Sequence, residues 1–130
     1  MRGEEKHSIL FLSASSSIFD AIPEELFQKW NFYLVKSNSE QVTLTRLDRP
    51  DVVVVDTYGL GVDFLDKVKE NPSVHDCPVL VIDEYNQQIL IDKILERGAT
   101  AYLNIDDFTD DLENKISKLI PKASSSFLLL

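Results

Sequence analysis

One cysteine and two histidines in 130 residues leave little material for two common ways of stapling a small chain. Cys77 has no partner for a disulfide, and no Cys/His cluster has zinc-ligand spacing. Basic side chains are also scarce, since 13 Lys and Arg against 22 Asp and Glu give a formal charge of -9. That balance repels nucleic-acid phosphates and anionic lipid heads unless cations cluster locally, and no such cluster occurs. Neither nucleic acid nor membrane is therefore expected as a partner. Long apolar runs are missing too. Nothing approaches the ~20 residues that cross a bilayer, and the few apolar residues after Met1 to Lys6 do not make a signal peptide. A reducing, cytoplasmic setting is the expectation. The length suits one domain that can bury a core without staples.

What is present is alternation. Ile9-Leu10-Phe11-Leu12, Phe32 to Val35, Val52 to Val55, Val79 to Ile82 and the weaker Ala101-Tyr102-Leu103 read as five buried strands. Stretches with helical spacing lie between them, which is the plan of an α/β fold whose parallel sheet is covered on both faces. A first helix is marked by Phe19, Ile22, Leu26 and Trp30, with Pro23 opening its main segment or kinking it. Asn38 or Ser39 caps a short second helix through Leu47. Leu65 and Val68 mark a third that ends before Asn71-Pro72, and Asn86 caps a fourth that carries Leu90, Ile94 and Leu95 and stops at Gly98. Phe108, Leu112, Ile116 and Leu119 give the fifth a clean apolar face ending at Pro121. The expected organisation is an extension over residues 1–7, one domain over 8–120, and a serine-rich tail or linker stub over 121–130.

Three segments carry a resemblance to a known family: RPDVVVVD (Arg49 to Asp56), ENPSVHDCPVLVID (Glu70 to Asp83) and ERGATAYLNID (Glu96 to Asp106). In order and spacing they are similar to the third strand, the fourth strand with its lead-in, and the fifth strand of response-regulator receiver domains. The resemblance runs from about Ser8 to Ile120. It implies a flavodoxin-like, doubly wound sheet of strand order 2-1-3-4-5 with a crevice at the carboxyl ends of the first and third strands, and right-handed crossovers lead to the same arrangement. It also implies a signalling role without enzymatic activity and a candidate phosphoacceptor at Asp56.

Phosphoryl transfer to a carboxylate needs a cation, because the nucleophile must approach a phosphorus crowded with negative charge. Receivers bind Mg²⁺ through an acidic pair after the first strand plus the phosphoacceptor. Here those paired positions read Ser13 and Ala14. The family's Ser or Thr after the fourth strand and its Lys after the fifth read Asp83 and Ile105. An added negative charge at ~5 Å in an effective dielectric of ~20 costs roughly 3 kcal/mol, so Asp83 beside Asp56 opposes phosphorylation. Asp106 stands where receivers place a cis proline, and a trans bond is expected there. The reading is a degenerate receiver, or pseudo-receiver, that works through protein contacts. Its partner would be a histidine kinase, an output domain or another signalling protein, with a homodimer through the fourth helix, fifth strand and fifth helix as a further option. No cofactor is expected, and Mg²⁺ would enter only at an atypically competent site.

Each of these residues also has a plainer reading. Asp56 as a strand-end carboxylate would simply accept backbone hydrogen bonds. Asp56, Asp83 and Asp106, with Asp107, would converge on a divalent cation or remain solvated acids. Tyr102 stands at the family's switching aromatic position, where ordinary packing explains it equally well. Gly59 and Gly61 permit a tight loop with positive φ. Lys93 and Arg97 would pair with Asp110, Asp111 or Glu113, or stay solvated. A rival from another class is a flavodoxin-like FMN-binding protein, in which the turn from Ser13 to Ser17 holds a phosphate while Tyr58 and Tyr85 flank the flavin.

Overall fold

The computed structural model describes residues 6–37 and 49–120. Five parallel strands, β1 (Ser8–Ser13), β2 (Asn31–Lys36), β3 (Val52–Asp56), β4 (Val79–Asp83) and β5 (Ala101–Asn104), form one sheet in the order β2-β1-β3-β4-β5. This is the flavodoxin-like arrangement and the expected strand order. β3 shows why the fold forms. Val52, Val53, Val54 and Val55 are all fully buried, as a strand with a neighbour on each edge and a covered layer on each face requires.

Alternation along the strands divides the core into two layers. Leu10, Leu12, Val53, Val55, Val79 and Val81 face α3 (Phe64–Glu70) and α4 (Gln88–Glu96), where Phe64, Leu65, Val68 and Ile94 meet them. Ile9, Phe11, Val52, Val54, Leu80 and Ile82 face the other way, onto Leu26 and Trp30 and onto Phe108, Leu112 and Ile116 of α5 (Phe108–Leu119). Trp30 packs edge-on against Phe32 at 6.2 Å between centroids, with Lys29 Nζ 4.9 Å from the centre of its ring.

Three local expectations need correction. The first helix is two single turns, α1 (Ser17–Asp20) and α2 (Leu26–Lys29), because Pro23 lacks an amide proton and interrupts the ladder between them. α4 begins at Gln88 after Gln87, so Asn86 is not its cap, and no side chain caps that end. Of the expected apolar face on α4, Ile94 is 1% exposed, but Leu95 is 37% exposed. The other boundaries fall where the sequence suggests. Gly98 ends α4 with φ +115, and α5 runs its full predicted length to Leu119. The predicted second helix and the tail lie outside the described residues.

Candidate functional site at the carboxyl rim of the sheet

Register decides what meets at the rim. Leu12 pairs with Val55, so one step further Ser13 stands opposite Asp56, and both are buried. The Ser13 hydroxyl donates to Asp56 Oδ2 at 2.9 Å. The Tyr58 amide donates to Asp56 Oδ1 at 3.1 Å, which a carboxylate two residues back can accept as an Asx-type turn. Burial is the main cause that raises the Asp56 pKa above the usual carboxylate range; the two donors pull it back, and the Asp83 charge adds a smaller upward push.

The register of β3 with β4 pairs Asp56 with Ile82, which leaves Thr57 opposite Asp83. Thr57 is 4% exposed, and its hydroxyl donates to Asp83 Oδ2 while lying 3.0 Å from the Ile82 carbonyl. The Glu84 amide donates to Asp83 Oδ1 at 2.6 Å. Asp56, Asp83, Glu84, Tyr58 and Ile105 line a cavity of about 60 Å³. Desolvation thus outweighs like-charge repulsion at Asp56, a reversal of the order that the sequence suggests.

The other sequence-predicted residues disperse. Asp106 is exposed and its amide donates to Asn104 Oδ1 at 2.8 Å, inside a 3-10 turn (Ile105–Asp107) that follows β5. The Ile105–Asp106 bond is trans. Among the described residues no group of three or more His, Cys, Asp or Glu side chains gathers as a metal cage. Ala14 lies against the loop after β3, where a Cβ built on Gly59 would come 3.0 Å from the Ala14 Cβ. Gly59 and Gly61 have φ of +84 and +82, as the tight loop requires.

The donor set does not fit the Mg²⁺ that the resemblance implies. Where the resemblance implies three carboxylates and a phosphate-binding lysine, the positions it points to hold the single carboxylate of Asp56, the neutral hydroxyl of Ser13 already bonded to it, Ala14 and the apolar Ile105. The serine turn is also engaged with itself. The Ser15 amide donates to Ser13 Oγ and the Ser17 amide to Ser15 Oγ, both at 3.3 Å, so these groups are not aimed outward at a flavin phosphate.

The Tyr102 hydroxyl donates to the Tyr85 carbonyl at 2.7 Å, and the Asn104 side-chain amide donates to the same oxygen at 3.1 Å. Burial first, and the charge of Asp83 second, push the Tyr102 pKa up to about 12. Arg97 pairs with Asp63 ahead of α3, and Glu113 pairs with Lys29 of α2 at 2.8 Å, so the expected bridge from α4 to α5 is not made by Arg97. Thr57 and Asn104 escaped the sequence reading, and Tyr85 entered it only as a flank for a flavin. Asn104 offered one signal, since asparagine is depleted in strands and stands here at a strand end.

No protein-family model matches the chain. Among curated proteins it is 30% identical over 83 residues to the transcriptional regulatory protein PdtaR of Mycobacterium tuberculosis, a match covering 61% of this chain and 40% of the relative. It is 30% identical over 63 residues to the transcriptional regulatory protein YdfI of Bacillus subtilis, covering 48% of this chain and 30% of the relative. The matched stretches thus span less than half of either relative. Among solved structures, a response regulator from Thermotoga maritima superposes with a TM-score of 0.71 at 23% identity, over 88% of this chain and 98% of that one. The chemotaxis response regulator CheY4 of Vibrio cholerae gives 0.69 at 15% identity, over 88% and 99%. The Mn²⁺-bound form of response regulator Rcp1 gives 0.64 at 18% identity, over 88% and 99%.

Proposed function

We propose that this chain, which has the receiver fold of the response regulators and shares sequence with two transcriptional regulatory proteins, is a degenerate receiver. In this reading it passes a signal by protein contact and runs no Mg²⁺-dependent phosphorylation cycle, and Asp56 is the position that would otherwise be the phosphoacceptor. The observation that supports it most directly is the company of Asp56, which is buried, bonded to a serine where an acid would stand, and without a cation at Ile105. A phosphoryl group brought there would add charge to a desolvated carboxylate with nothing to balance it.

The partner surface we favour is the face made by α4, β5 and α5. It holds a cleft of about 500 Å³ with Leu95, Tyr102 and Leu103 among its apolar lining and Asp107 and Asp111 on the α5 side. A kinase, an output domain or a second copy of the chain would dock there. We assign the chain no catalytic step.

The test is direct. Incubated with acetyl phosphate and Mg²⁺, the protein should show no phosphoryl adduct by intact mass, and beryllofluoride with Mg²⁺ should leave its ¹H–¹⁵N spectrum unchanged. A saturable, Mg²⁺-dependent shift centred on Asp56, or an adduct mapped to it, overturns the proposal.

A further inference from the structure

A second cleft, of about 220 Å³, lies between α4 and the loop that leads into α3; it shares Tyr85 with the larger cleft and has none of the residues that line the cavity at Asp56. We propose that it binds a small organic monocarboxylate with a compact apolar body. The inference does not depend on how Asp56 is read.

Four of its lining residues recur at i, i+3, i+4 and i+7: Leu90, Lys93 and Ile94 of α4, and Arg97 at its C-cap, a single stripe turned toward the cleft. Val62 and Tyr85 complete an apolar floor with Leu90 and Ile94, and Val62, Tyr85 and Ile94 pack into the core layer under α3 and α4. The loop bearing Tyr85 is held in place, because its carbonyl accepts hydrogen bonds from both Tyr102 and Asn104. Arg97 joins the two walls through its ion pair with Asp63, so its charge is already balanced. The floor is therefore formed before anything binds, which lowers the ordering cost of binding.

Lys93 is the residue left over. Among the described residues no carboxylate lies within ion-pair distance of it, in a chain that carries a net charge of -9. A cation above an apolar floor suits a ligand with one anionic end and one apolar end. With Arg97 and Asp63 balancing each other, Lys93 supplies one unpaired positive charge, which one carboxylate matches and a dianion such as a phosphate monoester would exceed. Size narrows the class again. The volume is worth roughly seven waters at ~30 Å³ each, enough for one ring or a branched chain, and it is below the ~300 Å³ at which cofactor-sized pockets begin.

The experiment titrates ¹⁵N-labelled full chain with 3-phenylpropionate and, separately, with its uncharged analogue 3-phenylpropanamide. Saturable shifts are expected at the amides of Val62, Asp63, Leu90, Lys93 and Arg97, with the amide analogue binding roughly fivefold more weakly, the scale of one partly exposed ion pair. Lys93→Met keeps the apolar stem on an exposed helix position and removes the charge. It should bring the acid down to the affinity of the amide analogue and leave the analogue unchanged, while peaks away from the cleft hold their positions. The proposal fails if no saturable shift occurs at these residues, if the shifts centre elsewhere, or if acid and amide bind alike to the native chain. Tighter binding of inorganic phosphate than of the carboxylate would also overturn it.

Discussion

The hydroxyl of Ser13 and the carboxylate of Asp56 join the ends of two neighbouring strands through a 2.9 Å hydrogen bond between buried groups. Removing one partner of such a pair strands the other without water. Ser13→Ala should therefore destabilise the fold by about 1–3 kcal/mol, read from denaturant midpoints by circular dichroism. In an Asp56→Asn background the same truncation should cost less, since a neutral acceptor makes roughly half as strong a bond. Equal costs in both backgrounds would mean that the bond is not what Ser13 contributes.

Acidity gives the second prediction, and its sign is opposite to that of most paired carboxylates. Burial raises the Asp56 pKa in the folded chain above the unfolded value of ~3.9. The unfolded state then binds fewer protons in the window between the two values, so this group's contribution to stability falls as pH rises through that window. At neutral pH the ionised form opposes folding, and acidification relieves it. Asp76 runs the other way, because its hydrogen bond with Arg49 lowers its pKa and acid removes what it contributes. The effect of Asp56 is therefore isolated as the difference between the native chain and Asp56→Asn, measured from pH 4 upward. The variant should be the more stable at pH 7, with the gap closing as pH falls. A gap that widens on acidification refutes the assignment.

Side-chain direction on α4 gives a paired comparison. Ile94→Ala empties a fully packed site and should cost about 2–5 kcal/mol, whereas Leu95→Ala on the exposed face should stay within about 0.5 kcal/mol. Chemical denaturation of the two variants side by side checks it, and similar losses would mean that α4 is rotated relative to this description.

Two glycines with almost the same φ should respond differently. Both Gly59→Ala and Gly61→Ala incur about 1–2 kcal/mol of left-handed backbone strain. Only at Gly59 does the new Cβ also meet Ala14 at 3.0 Å, while the space beside Gly61 is open. Thermal unfolding should rank Gly59→Ala below Gly61→Ala, and the reverse order would contradict the packing of Ala14 against that loop.

Much of the fold was legible because its signals are local and repeated. Val52 to Val55 could only be a strand buried on both faces, and Phe108, Leu112 and Ile116 name the inner face of α5 without help. α4 was half legible: periodicity found Ile94, but a helix that covers one edge of a sheet buries a narrow stripe, so Leu95, one residue further round, falls outside it. Pro23 was read as opening the main segment of one helix or kinking it, and two separate single turns stand on either side of it instead.

The rim was less legible because register is not written in composition. Asp56 and Asp83 each end an apolar run, which suggests two facing carboxylates. The pairing of Asp56 with Ile82 sets Thr57 against Asp83 instead, and a threonine beside a conspicuous aspartate attracts no notice in the sequence. Partner choice among surface charges was equally hidden. Arg97 found Asp63, more than thirty positions away in the chain, because α3 and α4 lie side by side on one layer.

The chain's one tryptophan sits in the layer beneath α2 and α5, on the far side of the sheet from Ile94 and Tyr85. Its emission is consequently a one-sided gauge that registers loosening around Trp30 and is deaf to events between α3 and α4. Optical screens that rely on it would pass over an occupant there in silence, and a probe on the opposite layer is needed to hear one.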